Sequence, residues 1–269
     1  MAPVIVGIFG RPYVDLEPYL DLSALDEVHE EVCLALTELA PDYTGGSHRS
    51  MGIMPPSRAA EAHVDYGEVI RAMTPRQFGT FRRLADDPAR WPADAPRDDI
   101  GEERGLPLSR RQMAWLEYRF GVYFPWKVYV ELIPNQYWGD KRVPKDFTGT
   151  AKALLPRTIA FVKSLPFESF GRCNVMGLRA NDHGTVHRDG ERADQVEPDT
   201  FITLCPRGDK RLFLWDEETR TQVPVRGRAV WFNDFDDHGV DPDPFFRYSI
   251  RVDGTFRPDF LERLREDHR

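Results

Sequence analysis

With 269 residues, 41% of them hydrophobic and 12% aromatic, the chain carries enough apolar surface for one large core. That size argues against two big independent domains, and the aromatic content against a disordered chain. A formal charge of −8 and a pI near 5.5 make a phosphate backbone an unfavourable partner, so no nucleic acid is expected. The longest apolar runs, such as Val4 to Phe9, fall far short of the roughly 20 residues a membrane span needs. No secretory pattern is legible at the N-terminus, so a cytoplasmic protein with no membrane partner is expected. Cys33, Cys173 and Cys205 are odd in number, widely spaced and form no Cys-x-x-Cys pair, which argues against a disulfide framework or zinc ribbon and fits a reducing compartment.

The first half reads as helices. Ser23 and Asp26 resemble a capping box ahead of Leu25, Val28, Val32, Leu36 and Leu39, which recur at helical spacing to about Ala40. A looser helical pattern runs from Ala59 to Met73. Thr74 with Gln77 and Ser109 with Gln112 mark two more helix starts. Between them, Asp86 to Leu108 reads as a long loop, a candidate substrate lid. Trp126 to Leu132 alternates as a half-buried strand, and the aromatic stretch around it (Tyr123, Trp126, Tyr137, Trp138) offers pocket walls or packing. Thr150 to Leu165 is helical in pattern but contains Pro156, which predicts a kink or two abutting helices. Short strands follow at Cys173–Leu178, Phe201–Cys205, Arg211–Trp215, Arg228–Phe232 and Phe246–Val252, a spacing that suggests a sandwich or jelly roll. The expected organisation is a helical N-terminal region over 1–125, a β-rich core over 126–256 and a helical tail over 257–269.

His-x-carboxylate occurs at His29-Glu30-Glu31, His63-Val64-Asp65 and His187-Arg188-Asp189. The first two fall in helical segments, where residues i and i+2 point about 200° apart and cannot share a metal. His187 and Asp189 follow a strand-like run and a turn, and in extended backbone i and i+2 project from one face. His238 lies 51 residues after His187, just past the apolar strand Ala229-Val230-Trp231-Phe232. Two imidazoles and one carboxylate form the facial set that suits non-haem Fe(II). The competing reading is two turn histidines and an aspartate that opens a turn.

Nine residues after His238, Arg247, Ser249 and Arg251 share one face of a strand whose other face is Tyr248, Ile250 and Val252. A buried guanidinium needs a partner, and its planar fork suits a carboxylate. That partner is either an acidic ligand or a structural Asp or Glu, the latter being the preferred reading for Arg251.

His187-Arg188-Asp189, His238 and Arg247-Tyr248-Ser249 together resemble the Fe(II)/2-oxoglutarate-dependent oxygenases with a double-stranded β-helix core. The likeness is nearest to the proline cis-hydroxylases and the aspartyl/asparaginyl β-hydroxylase-like group, through His-Arg-Asp and through Gly227 to Asp234 running into His238. It covers roughly Arg172 to Gly254; the first 142 residues resemble nothing identified. The implied fold is α+β, a jelly-roll, cupin-like core with a helix-rich N-terminal half.

The resemblance implies Fe(II) on His187, Asp189 and His238, 2-oxoglutarate with its far carboxylate on Arg247 and Ser249, and O2 as oxidant. The products would be succinate, CO2 and a hydroxylated small molecule, a free amino acid or its derivative. One departure is that relatives in the cis-hydroxylase group carry a second cosubstrate Arg on the strand after His-x-Asp. Here Thr200 to Leu204 offers threonines, with Thr203 the candidate. Retention of Asp189 favours hydroxylation over halogenation. Arg179, Arg251 and His183 are candidate substrate contacts. A hydroxylase of peptide residues is the nearest alternative, and a non-catalytic jelly roll holding a metal or small acid the alternative of another class.

Overall fold

Strands from residue 128 onward, joined by one from the N-terminal region, build two antiparallel sheets in the computed structural model, which describes residues 5–39, 55–61, 66–92, 94, 97, 108–124, 128–134 and 141–268. The larger sheet contains β1 (Tyr13–Asp15), β2 (Val128–Ile133), β3 (Phe167–Leu178), β5 (Phe201–Leu204), β8 (Ala229–Phe232) and β10 (Arg247–Phe256), in the order β1-β8-β5-β10-β3-β2. The smaller contains β4 (Gly184–His187), β6 (Leu212–Asp216), β7 (Thr221–Pro224) and β9 (His238–Val240), in the order β4-β9-β6-β7. The chain is therefore α+β.

Register divides the larger sheet into two chemically distinct faces. Ile250 lies opposite Val175 and Leu204, and Val252 opposite Cys173 and Ile202. These join one apolar cluster with Leu25, Val28, Val32 and Ala35 of helix α1 (Leu25–Glu38) and Ile159 and Val162 of helix α6 (Pro156–Ser164). On the opposite face Ser249 pairs with Met176, Arg251 with Asn174 and Thr203, and Asp253 with Arg172. That face looks toward the smaller sheet, and the candidate site lies between the two.

Pro156 acts as predicted: α5 (Gly149–Leu154) ends and α6 begins with the proline in its first turn, where a missing N–H costs nothing. The α6 N-terminus is capped from afar. Glu31 on α1 accepts hydrogen bonds from the Arg157 and Thr158 amides, at 2.9 and 2.7 Å, and from the Thr158 hydroxyl. Both Thr74–Gln77 and Ser109–Gln112 form complete capping boxes, at α3 (Pro75–Arg83) and α4 (Arg110–Phe120). With α2 (Tyr66–Ala72), these helices enclose a second apolar cluster that includes Ile70, Phe81, Trp91 and Leu116.

Several expectations need correction. Ser23 does not cap α1: Ala24 precedes the helix with near-helical dihedrals and no side-chain cap, and the Ser23 amide turns back to Asp21. The N-terminal region is not wholly helical, because β1 joins the larger sheet with Val14 opposite Trp231. In the 59–73 stretch, a 3-10 segment at Pro56–Glu61 precedes α2. Helix α7 (Pro258–Asp267) supplies the expected C-terminal helix. Most of the Asp86 to Leu108 loop, and His63, Trp126, Tyr137 and Trp138, lie outside the described residues. All three cysteines are free, and no helix among the described residues is long and apolar enough to cross a membrane.

Candidate metal centre

Strands β4 and β9 pair with His187 directly opposite His238, and a register irregularity separates this pair from Gly184–Val240. The two imidazole centroids lie 4.5 Å apart. Each ring is oriented by its own chain two residues back. His187 Nδ1 lies 2.7 Å from the Thr185 carbonyl oxygen and His238 Nδ1 2.9 Å from that of Asp236. A carbonyl only accepts, so Nδ1 is the donor in both contacts, which leaves Nε2 as the atom each ring can offer a metal. Burial, and then the neighbouring His187, push the His238 pKa down to about 4, which keeps that imidazole neutral near pH 7.

The extended backbone after β4 returns Asp189 to the same side, with Oδ1 3.6 Å from His187 Nε2. One ligand atom from each of His187, Asp189 and His238 falls within 4.8 Å of the others. Two imidazoles with Nδ1 held by their own backbone and a carboxylate beside them form a donor set that fits Fe(II). His29, by contrast, packs: its ring stacks on Tyr248, with centroids 5.8 Å apart and an interplanar angle of 8°.

Behind the carboxylate lies a buried ionic network. Arg251 places Nη1 3.1 Å from Asp189 Oδ2, Nη2 2.5 Å from Asp234 Oδ2 and Nε 3.0 Å from Asp253 Oδ1. Lys141 reaches Asp234 at 2.6 Å and Asp199 at 2.7 Å, and Arg172 grips Asp253 through two hydrogen bonds. Burial opposes ionisation of Asp234, but the Lys141 and Arg251 charges hold its pKa far below the usual carboxylate range. Three cations thus face the buried carboxylates of Asp189, Asp234 and Asp253, and Asp199 joins them through Lys141.

The cavity at the triad is lined from the smaller sheet by His187, His238, Leu212 and Val240, and from the larger by Met176, Thr203, Phe232, Ser249 and Arg251. Lys210 also lines it, with Nζ 2.6 Å from the Ser249 hydroxyl. Burial pushes the Lys210 pKa down to about 8.

Of the residues singled out from the sequence, the triad, Thr203, Ser249 and Arg251 meet at this cavity. Arg247 is on the expected face but is ion-paired with Asp243, four residues earlier, and is not among the described residues that line the cavity. Arg251 lines the cavity with its donors directed at three aspartates, the structural pairing that the sequence favoured. Arg179 is exposed at a turn, where its amide is bound by Asp182. His183 stacks on Tyr123, whose hydroxyl bonds to the His183 backbone N and O, so neither reaches the cavity lining.

Sequence reasoning missed Lys210, Lys141 and Asp234. Lys210 precedes β6, where the Leu212 amide turns back to the Lys210 carbonyl oxygen, so strand alternation does not reach it.

No protein-family model matches the chain, and no curated protein matches it. Among solved structures it is similar to a prolyl-4-hydroxylase from Pseudomonas putida, at 18% identity and a TM-score of 0.25 over 39% of this chain and 62% of that one. The chain thus spans less than two thirds of that protein. It is also similar to a 2OG-Fe(II) oxygenase family oxidoreductase from Burkholderia pseudomallei, at 14% identity and TM-score 0.30, covering 48% and 70% of the two chains. A third is AviO1 from Streptomyces viridochromogenes, at 15% and 0.27 over 55% and 80%. At such low scores, what the site can do follows from its own geometry.

Proposed function

We propose that the protein is an Fe(II)- and 2-oxoglutarate-dependent dioxygenase with a double-stranded β-helix core, hydroxylating an unactivated C–H of a free amino acid or a small derivative of one. The observation that carries this reading is the convergence of two Nδ1-protonated imidazoles and one carboxylate on a cavity that also holds a buried lysine. His187 and His238 would offer Nε2, and Asp189 Oδ1. A divalent cation on the triad and the Lys210 ammonium in the same cavity would together favour an anionic ligand spanning both. Lys210 and Ser249 would hold the distal carboxylate of the cosubstrate, with Thr203 on the adjoining strand. This role moves from Arg247, whose charge is taken by Asp243.

Met176, Leu212, Phe232 and Val240 present apolar surface to the same space and would exclude water from it. Bound there, the iron and cosubstrate supply oxidative decarboxylation to succinate and CO2 coupled to hydroxylation by O2, chemistry that the protein positions and does not itself perform. The choice of an amino-acid substrate rests on the resemblance of His187-Arg188-Asp189 and Gly227 to Asp234 to amino-acid hydroxylases.

The test needs no substrate. Fe(II) and 2-oxoglutarate are added to the metal-free protein without oxygen, and the visible charge-transfer band of a chelated keto acid is sought. The band is expected in the native protein and absent in His187→Ala. A folded native protein that binds Fe(II) without ever developing the band would transfer the case to a non-catalytic metal-binding jelly roll.

A further inference from the structure

The ionic network closes a ring around one metal ligand. The Asp189 amide donates to the Asp234 carbonyl oxygen at 2.8 Å. The Asp234 carboxylate accepts from Arg251 Nη2 at 2.5 Å, and Arg251 Nη1 donates back to Asp189 Oδ2 at 3.1 Å. Backbone and side chain of Asp189 are therefore referred to one residue, Asp234, through one guanidinium.

Every direction of that guanidinium is fixed. Its Nε meets Asp253, which Arg172 holds from the far side at 2.7 and 3.0 Å, and its plane lies over the Phe201 ring, 3.9 Å from the centroid. Burying three cations among carboxylates is a poor route to stability, because the desolvation cost offsets most of the Coulomb gain. What such an arrangement does supply is direction. With Oδ2 engaged by Arg251, Oδ1 is the oxygen turned toward His187 Nε2.

We infer that Arg251 and Asp234 are positioning residues that make Asp189 a one-oxygen metal ligand, holding its second oxygen away from the metal. This rests on the metal site proposed above and concerns its coordination number: an aspartate left unclamped is able to chelate through both oxygens and take up a position needed for cosubstrate. Lysine cannot replace Arg251 here, since a single ammonium lacks the planar fork that serves three carboxylates at fixed angles.

Co(II) is the probe, titrated into the metal-free full-length protein, with affinity read alongside the visible ligand-field absorption, which reports coordination number and geometry. Native protein, Arg251→Lys, Asp234→Asn, Asp189→Gly and the double variant Asp189→Gly/Arg251→Lys are compared, with His187→Ala as the control. Arg251→Lys should bind Co(II) about 10–100-fold more weakly, with an altered absorption shape. In the Asp189→Gly background the same substitution should change nothing further, because its route of action has been removed. Asp234→Asn, nearly isosteric, tests the same ring from its other side should Arg251→Lys fold poorly.

Native affinity and band shape in both single variants would overturn the inference. So would an equal loss in the Asp189→Gly background, which would mark Arg251 as general packing. If the native protein binds Co(II) no better than His187→Ala, the metal site itself falls, and the clamp with it.

Discussion

Replacing Lys210 by methionine should move stability and ligand binding in opposite directions. Burial lowers the Lys210 pKa from 10.5 to about 8, so the folded state pays about 3 kcal/mol to keep the ammonium that the unfolded chain carries freely. That penalty is fully present below pH 8 and disappears between 8 and 10.5, where the unfolded chain binds more protons than the folded one. Lys210→Met removes it, less about 1 kcal/mol for the Ser249 hydroxyl that loses its partner. Metal-free Lys210→Met at pH 7 should therefore be more stable than the native protein by up to about 2 kcal/mol, read as a raised urea midpoint at unchanged slope. The same change should weaken 2-oxoglutarate binding to the Mn(II)-loaded protein by about 10–100-fold, the loss of one charge-assisted hydrogen bond. Arg247→Met, run beside it in calorimetric titration, should leave that affinity within a few-fold. If Lys210→Met binds normally and Arg247→Met does not, the cosubstrate belongs on Arg247 and the reasoning from the cavity lining is wrong.

Cosubstrate affinity should be flat with pH below about 8 where Lys210 is protonated, and should weaken by up to about tenfold per pH unit above it, since binding a carboxylate there requires proton uptake. A slope of the opposite sign in the Mn(II)-loaded protein, but not in Lys210→Met, would contradict the assignment. Gly171→Ala would place a Cβ 1.9 Å from the Lys141 carbonyl oxygen; relief requires backbone movement at the segment that delivers Lys141 to Asp234, and a loss of about 1–3 kcal/mol is expected by urea denaturation. Glu31→Ala removes the acceptor of two α6 amides and should cost about 1–2 kcal/mol in the same assay, with Glu31→Gln intermediate.

The triad was legible because its determinants are local: an i, i+2 pair in extended chain, and a histidine just after an apolar strand. The paired capping boxes and the break at Pro156 were legible for the same reason. Strand β7, Thr221–Pro224, was not, since its residues are mostly exposed and read as turn, and β9 contains a glycine and only three residues. The Arg247–Asp243 ion pair was not legible, because alternation gives the face of a side chain and not its partner, and Asp243 lies in a loop with no periodicity to reveal it. Lys141 lies 93 residues from Asp234, and no pattern within one sequence couples them. Lys210 was hidden because it lies before β6 begins, at a turned backbone where strand alternation does not apply.

Strand β10 carries two separate duties on alternate residues. Ser249, Arg251 and Asp253 serve the cavity and its ionic support, while Tyr248, Ile250 and Val252 face the helices and the apolar core. The kind of substitution tolerated along this strand should therefore alternate with a period of two: odd positions requiring a polar or charged side chain that keeps its partner, even positions requiring an apolar one. Neutral drift would then have to thread two unrelated constraints through adjacent residues, and a one-residue insertion would exchange them wholesale.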